Sequence, residues 1–236
     1  MTVFRKIVCV AALAGLVAGL FETVVHHFGT AAIIAKAEVY EKAADEAAAT
    51  TTAGSSMTGM AHDSDAMAWK PKDGFQRTAL TVLGDILKDI GFALLLVSAY
   101  IFSGREVDWR KGLYWGLAGF ATFTLAPGLG LPLEVPGTAA APLLDRQIWW
   151  VATALATGAG LGLIFFGRRA LLVLAGVGLL VLPHIFGAPQ AAEYKSAAPE
   201  SLAHQFVVAA MITSLLFWLV LGLLTGLLYK RFQPTT

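Results

Sequence analysis

The sequence predicts an all-α integral membrane protein of six transmembrane helices with both termini on the cytoplasmic side. Three observations carry that prediction. The 236 residues are 57% hydrophobic and only 14% charged, whereas soluble domains carry about 25% charged residues. The apolar residues fall in six runs, most of them long enough to cross a hydrocarbon core of ~30 Å at ~1.5 Å per residue. Lysine and arginine gather at alternate ends of those runs.

The first run, Ile7–Phe28, carries no charge before Glu22. It follows Arg5 and Lys6 as a signal peptide would, but it is too long for an h-region and ends in Glu-x-x-x-His-His, so it reads as a retained span. An Ala-rich stretch follows, AAIIAKAEVYEKAADEAAA, whose composition favours helix. It either continues the first helix or lies along the surface. Residues 42–75 then read as a mobile periplasmic loop rich in Ser, Thr, Gly and Pro. The second run, about Ala79–Phe102, bears Asp85, Lys88 and Asp89 near its start. The third is Gly112–Leu129, the fourth Ile148–Phe166, the fifth Ala170–Phe186 and the sixth about Phe206–Tyr229. Only Gly167-Arg168-Arg169 separates the fourth from the fifth, and the double arginine argues for a turn there.

With six spans, one side collects Arg5, Lys6, Arg105, Arg110, Lys111, Arg168, Arg169, Lys230 and Arg231, while the short opposite loops hold only Arg146 and Lys195. Positive residues mark the cytoplasmic face. The chain is one polytopic domain over 1–236. A weak repeat runs through it: Leu13-Ala14-Gly15, Leu117-Ala118-Gly119 and Leu174-Ala175-Gly176 each sit in the leading helix of a sequential pair. This pattern suggests three pseudo-repeated helical hairpins of the parallel kind found in transporters. Small residues that permit close helix packing would leave the same trace. Trp69, Trp109, Trp115, Trp149 and Trp150 read as interfacial anchors.

Several classes are excluded. The net charge of +1 and the lack of a basic, aromatic-interleaved patch give no case for nucleic acid. The single cysteine, Cys9, forms no disulfide framework or thiolate metal cluster. There is no H-E-x-x-H, G-x-S-x-G, P-loop or dinucleotide-binding glycine turn, so the expected role is not enzymatic.

What chemistry there is collects at the outer ends of the spans. Glu22 and His26 are four apart and share a helix face, with His27 beside them. An ionisable pair within a span is expensive and is a functional-site hypothesis by default. Asp85 and Asp89 begin the second span from the same side. Pro127 and Pro183 are expected to break the third and fifth helices at their outer ends, where His184 sits, and His204 opens the sixth. Imidazole with carboxylate suits divalent transition metals. Glu22, His26, His27, Asp85, Asp89, His184 and His204 are therefore the candidate metal ligands. Met57, Met60, His62, Asp63 and Met67 in the outer loop are candidates for loose capture. Structural alternatives are a helix cap for Glu22 and the paired histidines, an intrahelical pair for Asp85, Lys88 and Asp89, and a partner for Arg146 in Asp145 or Glu134.

Longer motifs then carry a family resemblance. AEVYE at Ala37–Glu41, DGFQRT at Asp73–Thr78, GLAGFATFTLAPGLGLPLEVPG at Gly116–Gly137, RQIWWVATALATGAGLGLI at Arg146–Ile164, LPHIFGAP at Leu182–Pro189 and FWLVLGLLTGLLYKR at Phe217–Arg231 resemble, in order, the CbtA family of predicted cobalt transporter subunits. The resemblance implies a bacterial inner-membrane protein of five to six spans linked to cobalamin synthesis. It also implies a small single-span CbtB-like partner with a His-rich tail, and Co²⁺ as cargo rather than as a resident cofactor. Ni²⁺ fits the same ligands. Many relatives carry several histidines in the outer loop, where this chain has His62 and three methionines.

The reading is then uptake of Co²⁺, or a similar divalent ion, through an outer His/carboxylate mouth, in a chain surrounded by lipid and compatible with a homo-oligomer. The competing readings are a non-transporting metal sensor or scaffold acting through a partner subunit, and a carrier for a small organic cation.

Overall fold

A computed structural model describes residues 3–52, 74–191 and 196–232. Among them the secondary structure is helical apart from one isolated bridge between Thr138 and Ser196. Helix α1 is Val3–Gly29 and α2 is Ala31–Thr52, joined through Thr30. The Ala-rich stretch is thus a helix of its own. Its Ala37 is buried against Val135 and Ala198 of the loops beyond the bundle. Helix α3 is Phe75–Ser103, closed by Gly104 in the left-handed region at φ 62°, where a side chain would be strained.

Helix α4 covers 109–130. It is α-helical over Trp109–Phe120, widens to a π turn over Ala121–Leu125, and resumes over Ala126–Gly130. Helices α5, Leu143–Phe166, and α6, Ala170–Phe186, are separated by the expected turn at Gly167, Arg168 and Arg169. Helix α7 is Glu200–Arg231.

Neither proline breaks its helix, contrary to expectation. The π turn re-pairs the backbone below Pro127, with the Ala126 N–H reaching the Ala121 carbonyl, so the donor that proline lacks is absorbed by the widened register. Pro183 sits inside α6, which runs on to Phe186.

Side-chain contacts mark the two ends of the bundle. At one end Lys6 lies over the Tyr229 ring at 3.6 Å, Tyr100 packs on Tyr229, and Arg105 lies over Phe166 at 4.6 Å. At the other end α2 and the loops around Val135 and Ala198 close over the bundle. Helices α1, α5 and α7 are each long and apolar enough to cross a membrane, and α6 is a shorter apolar helix.

The close pairs are α1 with α3, α4 with α7, and α5 with α6. Of the three expected hairpins, the first is a close pair, the second meets more loosely through Trp115 with Phe166 and Phe123 with Trp150, and the third is not a close pair. The recurring Leu-Ala-Gly triplet marks close approach in every pair. A Cβ on Gly15 would lie 2.5 Å from the Ile90 Cα, one on Gly119 would strike the Trp218 ring, and one on Gly176 would lie 2.7 Å from the Gly160 carbonyl. The triplet thus records helix contact rather than a repeated hairpin.

The core between α1, α3 and α7 holds Val10, Ala14, Ala93, Val97, Tyr100, Trp218 and Leu221. Two of the tryptophans read as interfacial anchors are half-buried against other rings. Trp115 meets Tyr100 and Phe166, and Trp149 meets His184.

Candidate functional site

Helix α1 meets α3 through glycine. Gly15 and Gly19 face Ile90 and Ile86 so closely that neither position has room for a methyl group. Continuing up the same face at helical spacing places Glu22 and then His26 toward α3. On α3 the facing positions at that height are Asp85, Lys88 and Asp89, spaced three and four apart. At ~1.5 Å per residue Glu22 is about 22 Å up α1 from Ile7, inside the thickness of a hydrocarbon core of ~30 Å.

The side chains converge. Glu22 is 4% exposed and Asp89 is 0% exposed. Lys88 donates from Nζ to Glu22 Oε2 at 2.6 Å, and the same nitrogen lies 3.5 Å from Asp89 Oδ1 and 3.9 Å from Asp85 Oδ1. His26 bridges the helices from above, with Nε2 4.0 Å from Glu22 Oε1 and Nδ1 3.9 Å from Asp85 Oδ2. The Thr23 hydroxyl reaches the Gly19 carbonyl at 2.9 Å and Asp85 Oδ2 at 3.3 Å. With one proton it serves one acceptor at a time. Helix α7 closes the third side, its buried Phe217 ring 5.1 Å from Lys88 Nζ.

Three acidic side chains crowd one lysine, and neither oxygen of Asp89 has a hydrogen-bond donor. A buried acid in such a place takes up a proton or a cation rather than stand ionised and uncompensated, so the arrangement can exchange the one for the other. As they stand around Lys88, no three His, Cys, Asp or Glu side chains among the described residues are gathered to hold a metal ion.

The structure thus brings together Glu22, His26, Asp85 and Asp89. It does not bring the remaining candidate ligands to them. His27 is exposed and sits edge-on to Phe28. His184 lies against Trp149, with ring centroids 5.9 Å apart, and lines an apolar groove of about 380 Å³ with Leu125, Thr157 and Leu180. His204 lines a separate cavity of about 260 Å³ between the loops, with Glu134, Arg146, Gln190 and Glu200. There Arg146 pairs with Glu134 at 3.1 Å, one of the two partners expected for it. Met57, Met60, His62, Asp63 and Met67 lie outside the described residues.

Two participants were absent from the ligand set read from sequence. Lys88 was visible as part of an acidic triplet, but its reach across to Glu22 depends on which helix packs there. Thr23 carries no sequence signal beyond lying next to Glu22.

One family profile, described as a probable cobalt transporter subunit (CbtA), matches residues 4–230, nearly the whole chain. No curated protein and no solved structure matches the chain.

Proposed function

The chain belongs to the CbtA family of probable cobalt transporter subunits, and from that premise we propose that Glu22, His26, Asp85 and Asp89 form the station through which Co²⁺ crosses the membrane. The observation that carries this reading is the meeting of two acidic side chains from α3 with a carboxyl and an imidazole from α1 around a single lysine ammonium. Imidazole and carboxylate together suit Co²⁺ or Ni²⁺ better than Mg²⁺ or Ca²⁺.

In this reading all six traversing helices cross the bacterial inner membrane, with both termini in the cytoplasm. The bias of Lys and Arg to one end supports that orientation, and so does the contact of Lys6 with Tyr229, which puts the start of α1 beside the end of α7. The ion enters from the periplasmic side, where Met57, Met60, His62, Asp63 and Met67 capture it. His204, with Glu134 and Glu200 in the outer cavity, is a first stop on the way in. His27 and His184, which stand apart from the station, take no part in this route. The family description as a subunit implies a partner, and a single-span CbtB-like protein with a His-rich tail would supply the ion to this face.

The test is uptake of radiolabelled Co²⁺ into proteoliposomes holding the purified chain, with and without its partner. Accumulation that requires Glu22 and Asp89 is the expected result. Co²⁺ binding with no flux under either condition would replace transport with a sensing or scaffolding role.

A further inference from the structure

Among the described residues Lys88 is the one lysine or arginine inside the cluster, and its geometry is that of an occupant rather than of a closed salt bridge. Its Nζ lies within 4 Å of three carboxylates on two helices, yet it makes a single short bond, to Glu22 at 2.6 Å. Asp89, fully buried, is left without a hydrogen-bond donor on either oxygen. The lysine side chain is 41% exposed while Glu22 and Asp89 are buried beneath it. The ammonium therefore sits at the lip of the site on a flexible four-carbon stem with a way out.

We propose that Lys88 is a tethered stand-in for the cargo: its ammonium occupies the acidic station when no metal is bound, is displaced outward when a divalent cation enters, and returns as the ion leaves. This inference rests on the reading above of Glu22, His26, Asp85 and Asp89 as the cation station. Its physical basis is exclusion. A divalent ion coordinated by these carboxylates would stand a few ångströms from the present position of Nζ. Two cations that close repel even where solvent partly screens them, so the carboxylates hold one or the other. The exchange lowers affinity by a constant factor, which suits a carrier, since a site that holds its ion too well does not release it. It also discriminates, because a monovalent ion repays the displaced ammonium less than a divalent one does.

A lysine that merely pins α1 to α3 would behave differently. Its removal would loosen the site, weaken metal binding and leave the ammonium unmoved by metal.

Two measurements on the full chain in detergent separate these. Calorimetric titration with CoCl₂ is expected to give a Kd at least tenfold lower for Lys88→Gln than for the unaltered protein, with slower uptake in proteoliposomes. Acylation of Lys88 by an amine-reactive ester at fixed pH, read by mass spectrometry on the unaltered protein, is expected to rise several-fold on saturation with Co²⁺, which needs no variant to fold. If the unaltered protein binds Co²⁺ while Lys88→Gln binds no tighter and Lys88 labelling is unchanged, the exchange is overturned and the cation station stands. If neither protein binds Co²⁺, the station falls and the exchange with it.

Discussion

The Glu22 carboxylate and the Lys88 ammonium meet at 2.6 Å between two helices that approach most closely where Gly15 and Gly19 face Ile90 and Ile86. Glu22→Gln keeps the shape and an acceptor oxygen but removes the charge. Because Lys88 is 41% exposed, solvent screens the pair, and the loss of stability is expected to be about 1 kcal/mol, or ~2–4 °C in thermal midpoint. Co²⁺ affinity, which depends on the charge directly, is expected to fall at least tenfold by calorimetry. A midpoint that drops while affinity holds would make Glu22 a structural residue only.

The histidines are expected to separate by location. His26 stands 3.9–4.0 Å from Asp85 and Glu22, so His26→Gln should weaken Co²⁺ binding at the station about tenfold or more. His204 lines the separate cavity with Glu134 and Glu200, so on the proposed route His204→Gln should raise the Co²⁺ concentration needed for half-maximal uptake by roughly two- to fivefold while leaving station affinity unchanged. Equal effects of the two substitutions on binding would mean that one site contains both.

What the sequence disclosed about this site, and what it did not, follows from reach. Pairs four apart on one helix, Glu22 with His26 and Asp85 with Asp89, were legible because helical periodicity alone puts each pair on one face. The placing of His184 and His204 at the helix ends away from Arg169 and Arg231 was equally legible. A shared height does not place side chains on the same side of a bundle, however, and α6 packs chiefly on α5, away from the α1–α3 face. The all-helical class and the long apolar helices α1, α5 and α7 followed from hydropathy, and the double-arginine turn from its charge. Their pairing did not, because Gly119 and Gly176 advertise a close contact without naming the partner. Here those partners are Trp218 and Gly160 rather than the next helix of the expected hairpin. The π turn before Pro127 had no sequence cue beyond the proline itself.

Gly15 and Gly19 set the distance between the two halves of the site. A Cβ would stand 2.5 Å from the Ile90 Cα at Gly15 and 2.8 Å from the Ile86 Cα at Gly19. Backbone atoms cannot rotate away, so Gly15→Ala should force α1 and α3 apart at a cost of about 1–3 kcal/mol and lower Co²⁺ affinity along with stability. Gly162 has no atom within 4 Å of the same construction, and Gly162→Ala should stay within about 0.5 kcal/mol of the unaltered protein. Thermal unfolding in detergent compares them. Parity of the two variants would sink the claim of close packing.

Deeper in the bundle the Tyr100 and Thr225 hydroxyls are 2.8 Å apart, and Thr225 also donates to the Leu221 carbonyl at 2.7 Å. Since Thr225 has one proton and gives it to its own helix, Tyr100 is the donor between them. The two deletions should therefore be unequal. Tyr100→Phe leaves Thr225 bonded and should cost about 0.5–1.5 kcal/mol, whereas Thr225→Val strands a buried phenol and should cost about 1–3 kcal/mol. Unfolding midpoints of the two variants give the order, and the reverse order would assign the proton the other way.

At the end of the bundle where α1 begins, Asp108 caps α4 by accepting from the Lys111 backbone N–H at 2.9 Å. That bond, helped by the charge of the Lys111 side chain, holds the Asp108 carboxyl below the usual carboxylate range. A group whose pKa is lowered by folding contributes its stabilisation in full above its ordinary value of about 4 and loses it as pH falls through the lowered value. Hydrogen-exchange protection of the Lys111 amide should therefore be flat from neutral pH to about pH 5 and then decline with acid, after correction for intrinsic rates. Asp108→Asn retains an acceptor oxygen and should flatten that acid decline while keeping most of the protection. Asp108→Ala should lose the protection at every pH. An acid decline of the same size in Asp108→Asn would show that another group controls this end of α4.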